Sequence, residues 1–176
     1  PGGSADLALA VEWCRENIGR YGGDPDRVLL MGHSAGASHV ATYLVDPVMK
    51  HPPSAGVRGA ILLSGRLRAD AREDNPNAAG VRAYYGDDPS LYAERSPVTH
   101  VERAQVPIFI AVAEFENPWL DVYGAEFAYR LGAVRGRLAD FVRMSGHNHI
   151  SMVAHFNTGE EFLGRRIARF CSSAAL

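Results

Sequence analysis

Apolar positions along this chain follow two periods, and the two alternate. Leu7, Val11, Cys14 and Ile18 fall on one helical face, with Ser4 standing where a helix cap is expected. Gly22-Gly23 ends that helix, and Asp24-Pro25 turns the chain into a short apolar run at 27–31 that reads as a strand. Residues 35–44 open on small side chains and read as a second helix. Asp46-Pro47 and His51-Pro52-Pro53 break the chain before a second strand at 57–63, closed by Ser64-Gly65. From 66 to 97 the character changes: charged residues, Pro76, Gly80, Gly86 and Pro89, and no sustained period. We read this stretch as short helices and loops inserted above a sheet, in a cap-like position where substrate is contacted. Residues 107–113 are continuously apolar, as a strand buried on both faces should be. A helix at about 122–134, a strand at 138–144 and a closing helix at 159–170 complete the pattern. Strands alternating with helices imply an α/β fold, a parallel sheet flanked by helices.

At the junction of the first strand and second helix stands Gly32-His33-Ser34-Ala35-Gly36. Strand, G-x-S-x-G, helix is the nucleophile elbow of an α/β-hydrolase. The turn is tight, so bulky residues two before or two after the serine are expected to collide across it. It also puts Ser34 at the positive end of the following helix, where the Ala35 N–H faces an oxyanion on a substrate. The lead-in Tyr21-Gly22-Gly23-Asp24-Pro25-Asp26-Arg27-Val28 closely resembles the GGDP-x-x-V sequence preceding the G-x-S-A-G elbow of carboxylesterases. From Ser4 to Leu44 the chain resembles the esterase and lipase branch that includes the hormone-sensitive-lipase-like enzymes.

A serine needs a base, and the base needs an acid to fix its tautomer. In this fold the chain order is Ser, then Asp or Glu, then His, with the acid in the loop after the strand at 107–113. Glu114 and Glu116 lie there, and Asp121 a little beyond. Resemblance to esterase segments of the form AEFDP, anchored on Pro107 and Phe115, places the family aspartate on Glu116, here a glutamate; Asp121 is the second candidate. The base belongs after the last strand, where Ser145-Gly146-His147-Asn148-His149 offers two histidines. A family loop opening like P-G-x-x-H, counted from Ser145-Gly146, implies His149, leaving His147 as a neighbour or substrate contact. His33 is expected to pack under the elbow. His39, His51, His100 and His155 have no positional argument for catalysis, and the H-x-H at 147–149 shows no zinc-ligand spacing with a third ligand, so no metal is expected.

With 176 residues, 47% of them hydrophobic, the chain is sized for one well-buried domain. Its 18 basic and 20 acidic residues give a net charge of −2, which points away from a nucleic-acid partner, and no apolar stretch is long enough to span a bilayer. Two cysteines, Cys14 and Cys171, are too few for a disulfide framework; buried thiols in a reducing, cytoplasmic setting are expected. The glycine-rich loop that supplies the second oxyanion donor in this fold has no counterpart here, since Pro1-Gly2-Gly3 leads straight into a helix. The resemblance therefore implies the C-terminal portion of an esterase domain, without the N-terminal strands. One sheet edge is then expected to be covered by another chain or by an N-terminal segment. The implied activity is hydrolysis of small or medium carboxylic esters by Ser34, His149 and Glu116, with no cofactor. An arylformamidase-type amide hydrolase shares the elbow and the late histidine, and a non-catalytic interaction module is the alternative from another class.

Overall fold

The computed structural model describes residues 2–47 and 56–174; the break expected at His51-Pro52-Pro53 lies outside the described residues. In chain order the elements are α1 (Gly2–Asn17), β1 (Val28–His33), α2 (Ala35–Val45), β2 (Val57–Leu63), α3 (Ala78–Tyr85), β3 (Ile108–Phe115), α4 (Leu120–Arg135), β4 (Asp140–Asn148), α5 (Ser151–Ala154) and α6 (Phe162–Ala174). The strands form one parallel sheet in the order β1-β2-β3-β4. This is the α/β arrangement the alternating periods imply.

Both faces of the sheet are covered, which is why its central strands run apolar over 59–63 and 108–113. Ala60, Leu62, Ile108 and Ile110 point to one layer, where they pack with Val11, Leu44, Phe127 and Leu131 of α1, α2 and α4. Ile61, Leu63, Phe109 and Ala111 point to the other, against Leu163 and Phe170 of α6. Val81, Tyr85 and Tyr92 gather with Ala69 into a separate small cluster within 66–97. Among the described residues β1 pairs only with β2, and Met31 on it is 51% exposed.

Several local details differ from the sequence reading. Ser4 does not cap α1 but lies buried within its first turn. Ile18 sits in a 3-10 turn (Ile18–Tyr21) that ends on Gly22 in the left-handed conformation. β4 begins later and extends further than expected, because a register irregularity between Ala113 and Phe115 lets Phe115 pair with Asn148. Gly146, at a φ of 78°, forms that bulge, and its N–H donates to Glu114 Oε2 at 2.7 Å. Cys14 and Cys171 are free thiols, but half-buried rather than buried.

A parallel sheet puts the carboxyl ends of all its strands at one edge. His33, Ser64, Glu116 and His149 all stand at or just past those ends.

Candidate active site

Ser34 caps α2 with φ 56° and ψ −120°, a backbone conformation that L side chains rarely adopt. The surrounding packing holds it there. A Cβ added at Gly32 would lie 2.3 Å from the Gly36 carbonyl, so the elbow closes backbone against backbone. Gly36, expected to be needed for the same reason, is not: a Cβ there meets nothing within 4 Å. The Ser34 N–H donates to Leu63 O at 2.9 Å, tying the elbow to the end of β2. Ala35 opens α2, so its N–H is among the first-turn donors that find no acceptor within the helix.

The structure brings three of the sequence-derived residues into one chain of contacts. His149 Nε2 lies 2.9 Å from Ser34 Oγ, and His149 Nδ1 lies 2.6 Å from Glu116 Oε1. The Glu116 side chain is only 2% exposed, yet every contact it makes is a donor. Its Oε1 also accepts from Asn117 N–H at 2.9 Å, and its Oε2 accepts from Ala113 N–H at 3.2 Å and from the Ser64 hydroxyl. Burial of a carboxylate is tolerable when its lone pairs are filled in this way.

The other two acids do different work. Glu114 accepts from Gly146 N–H and pairs with Arg143, and the first of these contacts holds its carboxyl below the usual carboxylate range. Asp121 lies in the first turn of α4. Neither is bonded to His149.

Two residues around His149 escaped the sequence reading. His33 contacts the proposed base: its Nε2 lies 2.8 Å from the His149 carbonyl oxygen and its ring lies 4.7 Å from the His149 ring. Ser64, with a φ of 48° and no exposed surface, donates to Glu116 and lies 2.8 Å from Met152 Sδ. The only local signal for Ser64 was its place at the mouth of a strand. His147, expected as a neighbour or substrate contact, is buried at 6% exposure, with Nε2 against Glu160 at 2.8 Å and Nδ1 against Ser151 Oγ at 3.2 Å. One histidine of the H-x-H, His147, converges in space with His155 and Glu160, whereas His149 does not join them.

A cavity of about 330 Å³ opens at Ser34 and Ala35. Its far wall comes from α3 through Val81, Tyr84 and Tyr85, and Tyr84 Oη is bonded to His39 Nδ1 at 2.9 Å. Arg66 lines the same cavity, and its Nη1 is buried without a hydrogen-bond partner among the described residues. No described helix is long and apolar enough to cross a membrane.

The carboxylesterase family profile matches residues 2–83. The chain is 54% identical over 52 residues to secreted lipase 5 of Gibberella zeae, a match covering 27% of this chain and 10% of that protein. It is 30% identical over 128 residues to esterase LipQ of Mycobacterium tuberculosis, covering 65% of this chain and 30% of that protein. The fold matches carboxyl esterase 2 of the fungus Tuber melanosporum with a TM-score of 0.71 at 20% identity, over 95% of this chain and 60% of that one. The matches thus span between a tenth and three tenths of these curated relatives. That one relative is named as secreted leaves the expected cytoplasmic setting without support. The profile match over residues 2–83 and the fold match together support an α/β-hydrolase fragment of carboxylesterase type.

Proposed function

We propose that the chain carries the serine-hydrolase machinery of an enzyme cleaving small or medium carboxylic esters. Ser34 attacks the ester carbonyl, and His149 takes the serine proton through Nε2 and returns it to the leaving alcohol. Glu116 holds the His149 Nδ1–H and stabilises the imidazolium that forms. An acyl-serine forms and water then releases the acid, with His149 again as the base. The Ala35 N–H donates to the oxyanion. The observation that carries this reading is the continuous contact from Glu116 through His149 to Ser34, at 2.6 Å and 2.9 Å. The cavity volume of about 330 Å³ and its aromatic wall support a substrate of modest size, selected by the segment 66–97. The β1 edge and the second oxyanion donor are completed, in this reading, by a further segment or chain pairing with β1.

A fluorophosphonate probe tests it. Ser34 should be labelled stoichiometrically, and Ser34→Ala and His149→Ala should each abolish labelling. Labelling that persists in Ser34→Ala means that the nucleophile has been misassigned.

A further inference from the structure

We propose that His147, His155 and Glu160 form a binding site for a divalent transition-metal ion of zinc type, separate from the catalytic serine. Their ligand atoms all lie within 4.8 Å of one another. Glu160 divides its carboxylate between the two rings, Oε1 at 2.8 Å from His147 Nε2 and Oε2 at 3.1 Å from His155 Nδ1. The rings stand edge to face with centroids 4.7 Å apart, so their nitrogens converge on the carboxylate.

Around a tetrahedral ion with bonds of about 2.0–2.1 Å, adjacent ligand atoms stand roughly 3.3 Å apart. With Glu160 Oε1 as the ligand, the His147 contact at 2.8 Å needs to open by roughly half an ångström, while His155, which now faces Oε2, must turn toward the ion. The larger adjustment falls on the His155 ring, which is 44% exposed and free to swing. Two imidazoles and a carboxylate are a donor set that zinc accepts, with water at the fourth position.

Second, His147 already has the support that a metal-bound histidine requires. It is almost fully buried, and its remaining nitrogen, Nδ1, lies 3.2 Å from Ser151 Oγ. With the proton on Nδ1 donated to that hydroxyl oxygen, Nε2 presents its lone pair to the ion, so a neutral ring binds by changing tautomer and loses no proton. Ser151 Oγ also accepts the Asn148 N–H at 2.9 Å. An ion here would therefore tie the turn carrying His149 to the segment leading into α6.

The test is titration of Zn²⁺ into the metal-stripped full chain by calorimetry, with Co²⁺ as a spectroscopic probe. One equivalent should bind, and Co²⁺ should give the visible bands of tetrahedral coordination. His155→Ala and Glu160→Gln, both at accessible positions, should each weaken binding by more than about 100-fold, and Ser151→Ala by about 10–100-fold. His149→Ala should leave it intact. Two results would overturn the proposal. Absence of saturable binding would make the cluster a hydrogen-bonded bracket only. Binding lost in His149→Ala but kept in His155→Ala would put the ion at the proposed catalytic base.

Discussion

Replacing Glu116 by glutamine keeps the shape of the side chain and removes its charge, so it isolates what the carboxylate does. Four donors meet the carboxylate: His149 Nδ1–H and Asn117 N–H on one oxygen, Ser64 Oγ–H and Ala113 N–H on the other. An amide has an acceptor on one side only, and either orientation sets its NH₂ against a backbone N–H. Turned toward His149, it faces the Asn117 N–H at 2.9 Å and forces the proton of His149 onto Nε2, the wrong tautomer for taking the serine proton. Turned toward Ser64, it strands only the more distant Ala113 N–H, because the serine hydroxyl rotates to accept. The second orientation is the cheaper. It keeps the tautomer and loses one charge-assisted hydrogen bond to the imidazolium, worth about 1.5–3 kcal/mol, or roughly 10–150-fold in kcat/KM. The stranded N–H should cost a further ~1–3 kcal/mol of folding stability. Had the first orientation won, the loss would approach the ~10⁴-fold seen when the acid of a chymotrypsin-type triad becomes an amide. Hydrolysis of p-nitrophenyl acetate alongside thermal unfolding reads both quantities. A Glu116→Gln rate within threefold of the parent, or a larger loss in Glu114→Gln or Asp121→Asn, would falsify the assignment of the acid.

The elbow glycines should separate cleanly. Gly32→Ala drives a methyl into the Gly36 backbone and should cost about 3 kcal/mol or more, whereas Gly36→Ala should stabilise α2 by about 0.5–1 kcal/mol; equal effects in urea unfolding would contradict the close approach. Asp70 makes stability depend on pH: burial pushes its carboxyl up, but hydrogen bonds from Arg72 and Tyr123 outweigh this and hold it below the usual range. Its contribution is therefore complete above about pH 4 and is lost as pH falls through the lower folded value, so Asp70→Asn should flatten the stability slope between pH 5 and 3. An unchanged slope would show that other carboxylates carry the acid sensitivity. With Ala35 N–H as its one proposed oxyanion donor, the chain should acylate with p-nitrophenyl acetate but act slowly on alkyl esters, since a missing donor costs about 10²–10³ in kcat. Adding a segment that pairs with β1 and brings a glycine-rich loop should raise the alkyl-ester rate more than the activated-ester rate; equal gains would place the second donor within this chain.

What the sequence revealed, and what it hid, follows from how far apart the interacting residues lie along the chain. β2 is legible to the residue, Val57–Leu63, because burial on both faces leaves Arg58 as its one polar position. β4 is not. Its last stretch of chain is Ser145-Gly146-His147-Asn148, polar and broken by a glycine, and it counts as strand because Asn148 pairs with Phe115 of β3 beyond the bulge, where Glu114 also accepts the Gly146 N–H. The grouping of Ser34, Glu116 and His149 was accessible for a different reason. Parallel strands deliver their carboxyl ends to one edge in a fixed order, so motif position stands in for spatial position. That substitution fails for every residue that has no motif. Ser64 reaches Glu116 across 52 residues and His33 reaches the His149 carbonyl across 116, and nothing local distinguishes either from an ordinary strand-end side chain. His155 and Glu160 fail more instructively. They lie only eight and 13 residues beyond His147, close enough to look for, yet no repeat spacing joins them, because α5 and the loop after it reverse the chain between the ligands. The polar residues that surround a reactive group are thus chosen by where the backbone returns. A periodic pattern predicts that return for buried strands and misses it wherever a short helix or a bulge makes the turn.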